Sequence, residues 1–177
     1  AHDSGRFVSF LGYEWSGGSQ IGGDHNIYFL DDEGPLVHSA PYEVLPPWDP
    51  ADGEVFMAGK RDLRQTIAEL RAGNRPLLVI PHYGGRRANF DFHDPSVMPL
   101  YEIHSCHRST DHVAREALQR GLRMGFIGGS DDHRGALGDC HPAARERSFS
   151  SHSGLVGLYA KELTRESLWE AFFAKRA

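Results

Sequence analysis

Leu77-Leu78-Val79-Ile80 is a run with no polar position. A strand with one wet face alternates polar and apolar residues. An unbroken apolar run needs cover on both faces, a condition met in sheets built from parallel β/α units. The preceding segment can supply part of that cover. Residues 60–72 carry Leu63, Ile67 and Leu70 at helical spacing, with charged residues on the other face and Gly73 as a stop. The same alternation recurs along the chain. Strands are predicted at 7–13, 26–30, 97–104, 123–129 and 155–160. A second helix is predicted at 110–120, stopped by Gly121. In a third, Thr164 is the cap, Glu166 lies in the first turn, and Leu168, Trp169, Phe172 and Phe173 form the apolar side. This order predicts an α/β fold, a β/α layer or barrel with a mostly parallel sheet. Pro35, Pro41, Pro46, Pro47 and Pro50 exclude regular helix or central strand from residues 31–59, which are read as a loop insertion in a single domain spanning 1–177.

With 177 residues the chain can build one domain with its own core, and a net charge of −5 gives no reason to expect nucleic-acid binding. No run is long or apolar enough to span a membrane. Two cysteines without a CxxC spacing give no disulfide framework. The histidines stand out: eleven against three lysines, a ratio that points to ligands rather than to solubilising charge. The opening Ala1-His2-Asp3-Ser4-Gly5 reads as the interior of a longer protein, so no compartment is read from it.

Several predicted strands end in ligand-type side chains. The first runs into Glu14. Asp24-His25 stands at the start of the second. Leu77–Ile80 runs into Pro81-His82, and the strand at 123–129 ends in Gly128-Gly129-Ser130-Asp131-Asp132-His133. In Asp131-x-His133 the two side chains of an extended segment point the same way. Glu14, His25, His82, Asp131 and His133 form a carboxylate and imidazole set suited to Zn²⁺, Mn²⁺ or Fe²⁺. Paired ions of this kind acidify water and stabilise the attacking and leaving oxygens of a phosphoryl transfer. Arg86, Arg87, Arg108 and Arg134 lie in loops beside these strand ends and are candidates to hold a substrate phosphate. Cys106 is flanked by His104 and His107, a spacing with no standard structural-zinc form.

Phe10-Leu11-Gly12-Tyr13-Glu14-Trp15, Gly23-Asp24-His25-Asn26, Ile80-Pro81-His82, Gly128-Gly129-Ser130-Asp131-Asp132-His133 and Glu162-Leu163-Thr164-Arg165 together resemble the PHP (polymerase and histidinol phosphatase) superfamily, in a poorly characterised branch. The resemblance implies a distorted TIM-like (β/α)7 barrel with a trinuclear metal site that hydrolyses phosphomonoesters or phosphodiesters. It implies that Glu14 bridges two ions, that His25 and His82 complete the second ion's ligands, and that Asp131 binds the first ion and His133 the third. Glu14, Asp131 and His133 would then be catalytic, with two or three divalent ions in the intact domain and a small phosphoester as substrate. The family's opening His-x-His strand and a later Asp-His pair have no counterpart in this chain. The expectation is a C-terminal portion of the domain, with its first strands upstream of Ala1 and little activity by itself.

Two other readings carry different expectations. An amidohydrolase-type metal hydrolase needs a strand-end lysine between the first and later histidine motifs, whereas Lys60 opens a predicted helix, Lys161 comes after Asp131 and Lys175 ends a helix. A non-catalytic metal-binding module of the same fold would keep the ligands and lack turnover.

Overall fold

The computed structural model describes residues 2–38, 61–133 and 152–177. The predicted insertion, apart from residues 31–38, and Arg134 lie outside these residues. Among the described residues there are five strands and three α-helices: β1 Leu11–Ser16, β2 Asp24–Phe29, α1 Leu63–Leu70, β3 Leu77–Pro81, β4 Leu100–His104, α2 Asp111–Gln119, β5 Gly125–Gly128 and α3 Arg165–Phe173.

The barrel expectation is overturned. β1, β2 and β3 form an antiparallel sheet in that order, and among the described residues β4 pairs only with β5, in parallel. Among the described residues no barrel closes, and three helices cannot supply a (β/α)7 barrel. The physical reason lies in the connections. A barrel of this kind needs parallel strands joined by helical crossovers. Residues 17–23 join β1 to β2 and leave room only for a reversal. One β/α/β unit with a parallel pair is present, β4–α2–β5.

The elements have local causes. Asp62 caps α1 through a reciprocal box: Gln65 N–H donates to Asp62 Oδ1 at 2.9 Å, and Asp62 N–H donates to Gln65 Oε1 at 3.0 Å. Leu63, Ile67 and Leu70 are buried as their spacing predicts, packed with Trp15, Ile27, Phe29, Leu77 and Val79. α2 lays Val113 and Ala117 against Tyr101 of β4. Thr164 caps α3 by accepting from Ser167 N–H at 3.2 Å. α3 packs Trp169, Phe172 and Phe173 on Leu78, Ile80, Leu100 and Ile127, so it covers the β3–β4–β5 side. Arg165 is buried, and its guanidinium donates to Ser9 O at 2.6 Å and Asp32 Oδ1 at 2.7 Å, which ties α3 to the chain on either side of the β1–β2 hairpin. Cover on both faces of β3 therefore comes from two cores, as its composition requires, within an antiparallel sheet.

Residues 155–160, predicted as a last strand, form none. Gly154 N–H donates to Gly129 O at 2.8 Å, and from there the backbone leaves β5, with Leu155 and Tyr159 exposed. Among the described residues no helix is long and apolar enough to cross a membrane.

Candidate metal centre

Sheet register decides which ligand-type side chains meet. Glu14 pairs with Asn26, Ser16 with Asp24 and Trp15 with His25, while His25 pairs with Pro81 across β3. Side chains alternate along a strand, so Glu14 and Asp24 share one face and His25 takes the other. His25 accordingly lies beside Trp15, with ring centroids 6.5 Å apart, fully buried, its Nδ1 3.2 Å from Gly23 O. Burial pushes its pKa down to about 3. The predicted second-ion set of Glu14, His25 and His82 is thus split: His25 is in the core, and Asp24 stands where it was expected. Glu14, Asp24 and His82 bring one ligand atom each within 4.8 Å of one another.

Glu14 lies within β1 near its C-terminal end, and His82 immediately follows β3. Those strands run the same way, so both reach one edge of the sheet. Asp131 and His133 follow β5, and His107 follows its parallel neighbour β4. The result is a row. His82 Nε2 is 3.9 Å from Glu14 Oε1, and its Nδ1 is 3.7 Å from Asp131 Oδ2. Asp131 in turn lies 3.3 Å from His107 Nε2 and 3.4 Å from His133 Nε2. Four of the five predicted ligands, Glu14, His82, Asp131 and His133, are therefore neighbours.

The centre of the row fits a cation. Among the described residues, both ring nitrogens of His82 and Asp131 Oδ2 are buried without a hydrogen-bond partner. A buried polar atom left in that state costs about 1–3 kcal/mol, so several at one point call for an occupant. Donor atoms bound at about 2.0–2.1 Å to a tetrahedral ion stand roughly 3.3–3.4 Å apart, close to the separations around Asp131. Asp131 also has φ of +48°, in the left-handed region where a side chain is uncommon and Asp is among the better tolerated. Next to it, a Cβ on Gly84 would sit 2.9 Å from Asp131 Oδ2 and 3.1 Å from His82 Cε1, so a larger residue there would push on both groups.

The row ends differently on its two sides. Asp24 is completely buried, and Arg86 claims both its oxygens, through N–H to Oδ2 at 2.6 Å and Nε to Oδ1 at 2.7 Å. Arg86 is thus a partner of Asp24 rather than a free phosphate contact. Arg87 is likewise paired, with Glu116. Arg108 places its guanidinium 4.6 Å from the Tyr83 ring centre, exposed and adjacent in sequence to His107. Behind Asp131 lies Glu102 of β4, whose carboxyl would clash with any Cβ on Gly129. Burial first, then the nearby Asp131 and Glu14 carboxylates, push its pKa up to about 8.

Sequence reasoning passed over Asp24 as a ligand and weighed His107 only in a trio with His104 and Cys106. Asp24 was legible as the strand neighbour of His25, but parity between them depends on the register with β1. His107 follows β4 as Asp131 follows β5, a signal readable only once those strands are known to be parallel neighbours. His104, expected beside Cys106, turns away: its Nδ1 meets Ser109 Oγ at 2.6 Å and its Nε2 meets His152 O at 2.9 Å. Compared with protein-family models, with curated proteins and with solved structures, the chain finds no match.

Proposed function

We propose that this chain carries the metal centre of a metal-dependent hydrolase acting on phosphoesters. The observation that supports it most is the orphaned polar centre, both ring nitrogens of His82 and Asp131 Oδ2 buried without a hydrogen-bond partner among the described residues, between Glu14 on one side and His133 on the other. Glu14, His82, Asp131 and His133 would hold one or more divalent ions of the Zn²⁺, Mn²⁺ or Fe²⁺ class. An ion held there supplies Lewis acidity and an acidified water. The chain's own groups do the rest. Asp131, clamped at positive φ, fixes the carboxylate toward both neighbouring imidazoles. Glu102, with its raised pKa, adds little negative charge behind that carboxylate at neutral pH. Arg108, exposed next to His107, supplies a positive charge where an incoming phosphoryl group needs neutralising.

The test is hydrolysis of a panel of phosphomonoesters and phosphodiesters with added Mn²⁺ or Zn²⁺, by the natural protein that carries this sequence and by its Asp131→Ala variant. Metal-dependent turnover that Asp131→Ala reduces by a hundredfold or more is expected. No turnover on the whole panel, or turnover indifferent to Asp131→Ala, overturns the reading. The Asp24–Arg86 pair favours one alternative: with Asp24 already neutralised, a single ion near Asp131 and no catalysis fits a metal-binding module.

A further inference from the structure

The loops after β4 and β5 are stapled to each other. Gly129 N–H donates to His104 O at 2.9 Å, and Cys106 N–H donates to Ser130 O at 3.0 Å. The Cys106 thiol, fully buried, donates to Asp131 O at 2.8 Å. Within the first loop, Ser105 N–H donates to Arg108 O at 3.1 Å and His107 N–H to Ser105 Oγ at 3.2 Å, which closes a tight turn around His107. These bonds set His107 Nε2 3.2 Å from His133 Nε2 and 3.3 Å from Asp131 Oδ2, while His133 Nε2 stands 3.4 Å from Asp131 Oδ1. Three donor groups so converge from two loops whose backbones are already locked together.

We propose that His107 completes a three-ligand transition-metal site with Asp131 and His133, carried wholly by the loops that follow β4 and β5. The inference rests on reading this strand edge as a metal centre and is independent of the reaction assigned to it. Two neutral imidazoles and one carboxylate suit Zn²⁺, Fe²⁺ or Co²⁺ and suit Mg²⁺ and Ca²⁺ poorly, since the latter prefer all-oxygen shells. The three ligands leave positions open for water or substrate. Asp131 and His107 are shielded at 6% and 13% side-chain exposure, whereas His133 at 57% faces solvent and gives an ion its way in. Cys106 acts here as a positioning residue: its two bonds to the backbone of residues 130 and 131 hold one ligand loop on the other.

Metal-stripped protein is titrated with Co²⁺, and the visible absorption of the bound ion is followed. One equivalent is expected to saturate a strong band. His107→Ala and His133→Ala should each weaken binding at least tenfold, and Cys106→Ala should do so by a smaller factor. His112→Ala, on the exposed side of α2, should leave affinity and spectrum unchanged. Nitrogen-detected NMR of the wild-type imidazoles with Zn²⁺ provides a readout that no variant's folding can disturb, with the Nε2 resonances of His107 and His133 shifting together. Unaltered Co²⁺ affinity and spectrum in His107→Ala, or a His107 resonance that Zn²⁺ leaves in place, overturns the proposal. So does loss of the band in Glu14→Gln, which would place the ion at the other end of the row. Phosphoester turnover is not read here, so failure of the hydrolase reading remains distinguishable from failure of this site.

Discussion

Glu102 and His25 are buried ionisable groups with opposite linkage to pH. Glu102 keeps its proton in the folded chain up to about pH 8 but loses it near 4.5 when unfolded. Above 4.5 the unfolded state binds fewer protons, so its contribution to stability is full below 4.5 and is lost as pH rises toward 8. Glu102→Gln is therefore expected to match wild type near pH 4 and to exceed it at pH 8, measured by denaturant unfolding with chelator present. Equal midpoints at pH 8 would count against the buried, protonated carboxyl. His25 has its pKa lowered from 6.5 to about 3, so its contribution is full above 6.5 and falls as pH drops toward 3. His25→Gln should flatten that acid limb, at some cost in packing beside Trp15. Gly129 is fixed by Glu102 in turn: a Cβ there would run into Glu102 Oε2. Gly129→Ala must displace the carboxyl or the loop, and a fall in melting temperature is the expected result.

Caps distinguish the helices. α1 has both bonds of its box, so Asp62→Ala should cost about 1 kcal/mol, read as a lower denaturation midpoint with an unchanged slope. α2 begins at Thr110 without a side-chain cap; that hydroxyl donates instead to Ile103 O at 3.0 Å and fastens the helix to the end of β4. The sequence shows a threonine before a helical run in both α2 and α3, and only α3 uses it as a cap. Spacing of Leu63, Ile67 and Leu70 was enough to find α1 and its buried face. Nothing local distinguishes residues 155–160 from a strand, because strand formation there depends on a neighbour with free backbone groups in the right place. β1 was read a few residues too early for the same reason: its span is fixed by pairing with β2, which draws Glu14 into the strand.

Across the whole molecule the candidate ligands bridge two sheets. Glu14 and His82 belong to the antiparallel sheet, and Asp131, His133 and His107 to the parallel pair. An ion bound along this row would therefore stabilise the fold as a unit. At a hundredfold its dissociation constant a ligand adds about 2.7 kcal/mol. For a chain of this size that corresponds to roughly 5–10 °C in melting temperature. Calorimetry with saturating Zn²⁺ against chelator should show this rise, smaller in His82→Ala; identical traces with and without ion would contradict it. By itself the sequence determined the α/β content, the helical face of α1, the apolar demands of β3 and the carboxylate and imidazole character of the strand ends. These are properties of short segments, set by periodicity and residue chemistry. Only the tertiary structure decided that the first three strands run antiparallel, that Asp24 rather than His25 faces the row, and that His107 joins Asp131. Each depends on strand direction or register, and one residue of register moves a side chain to the opposite face of a sheet.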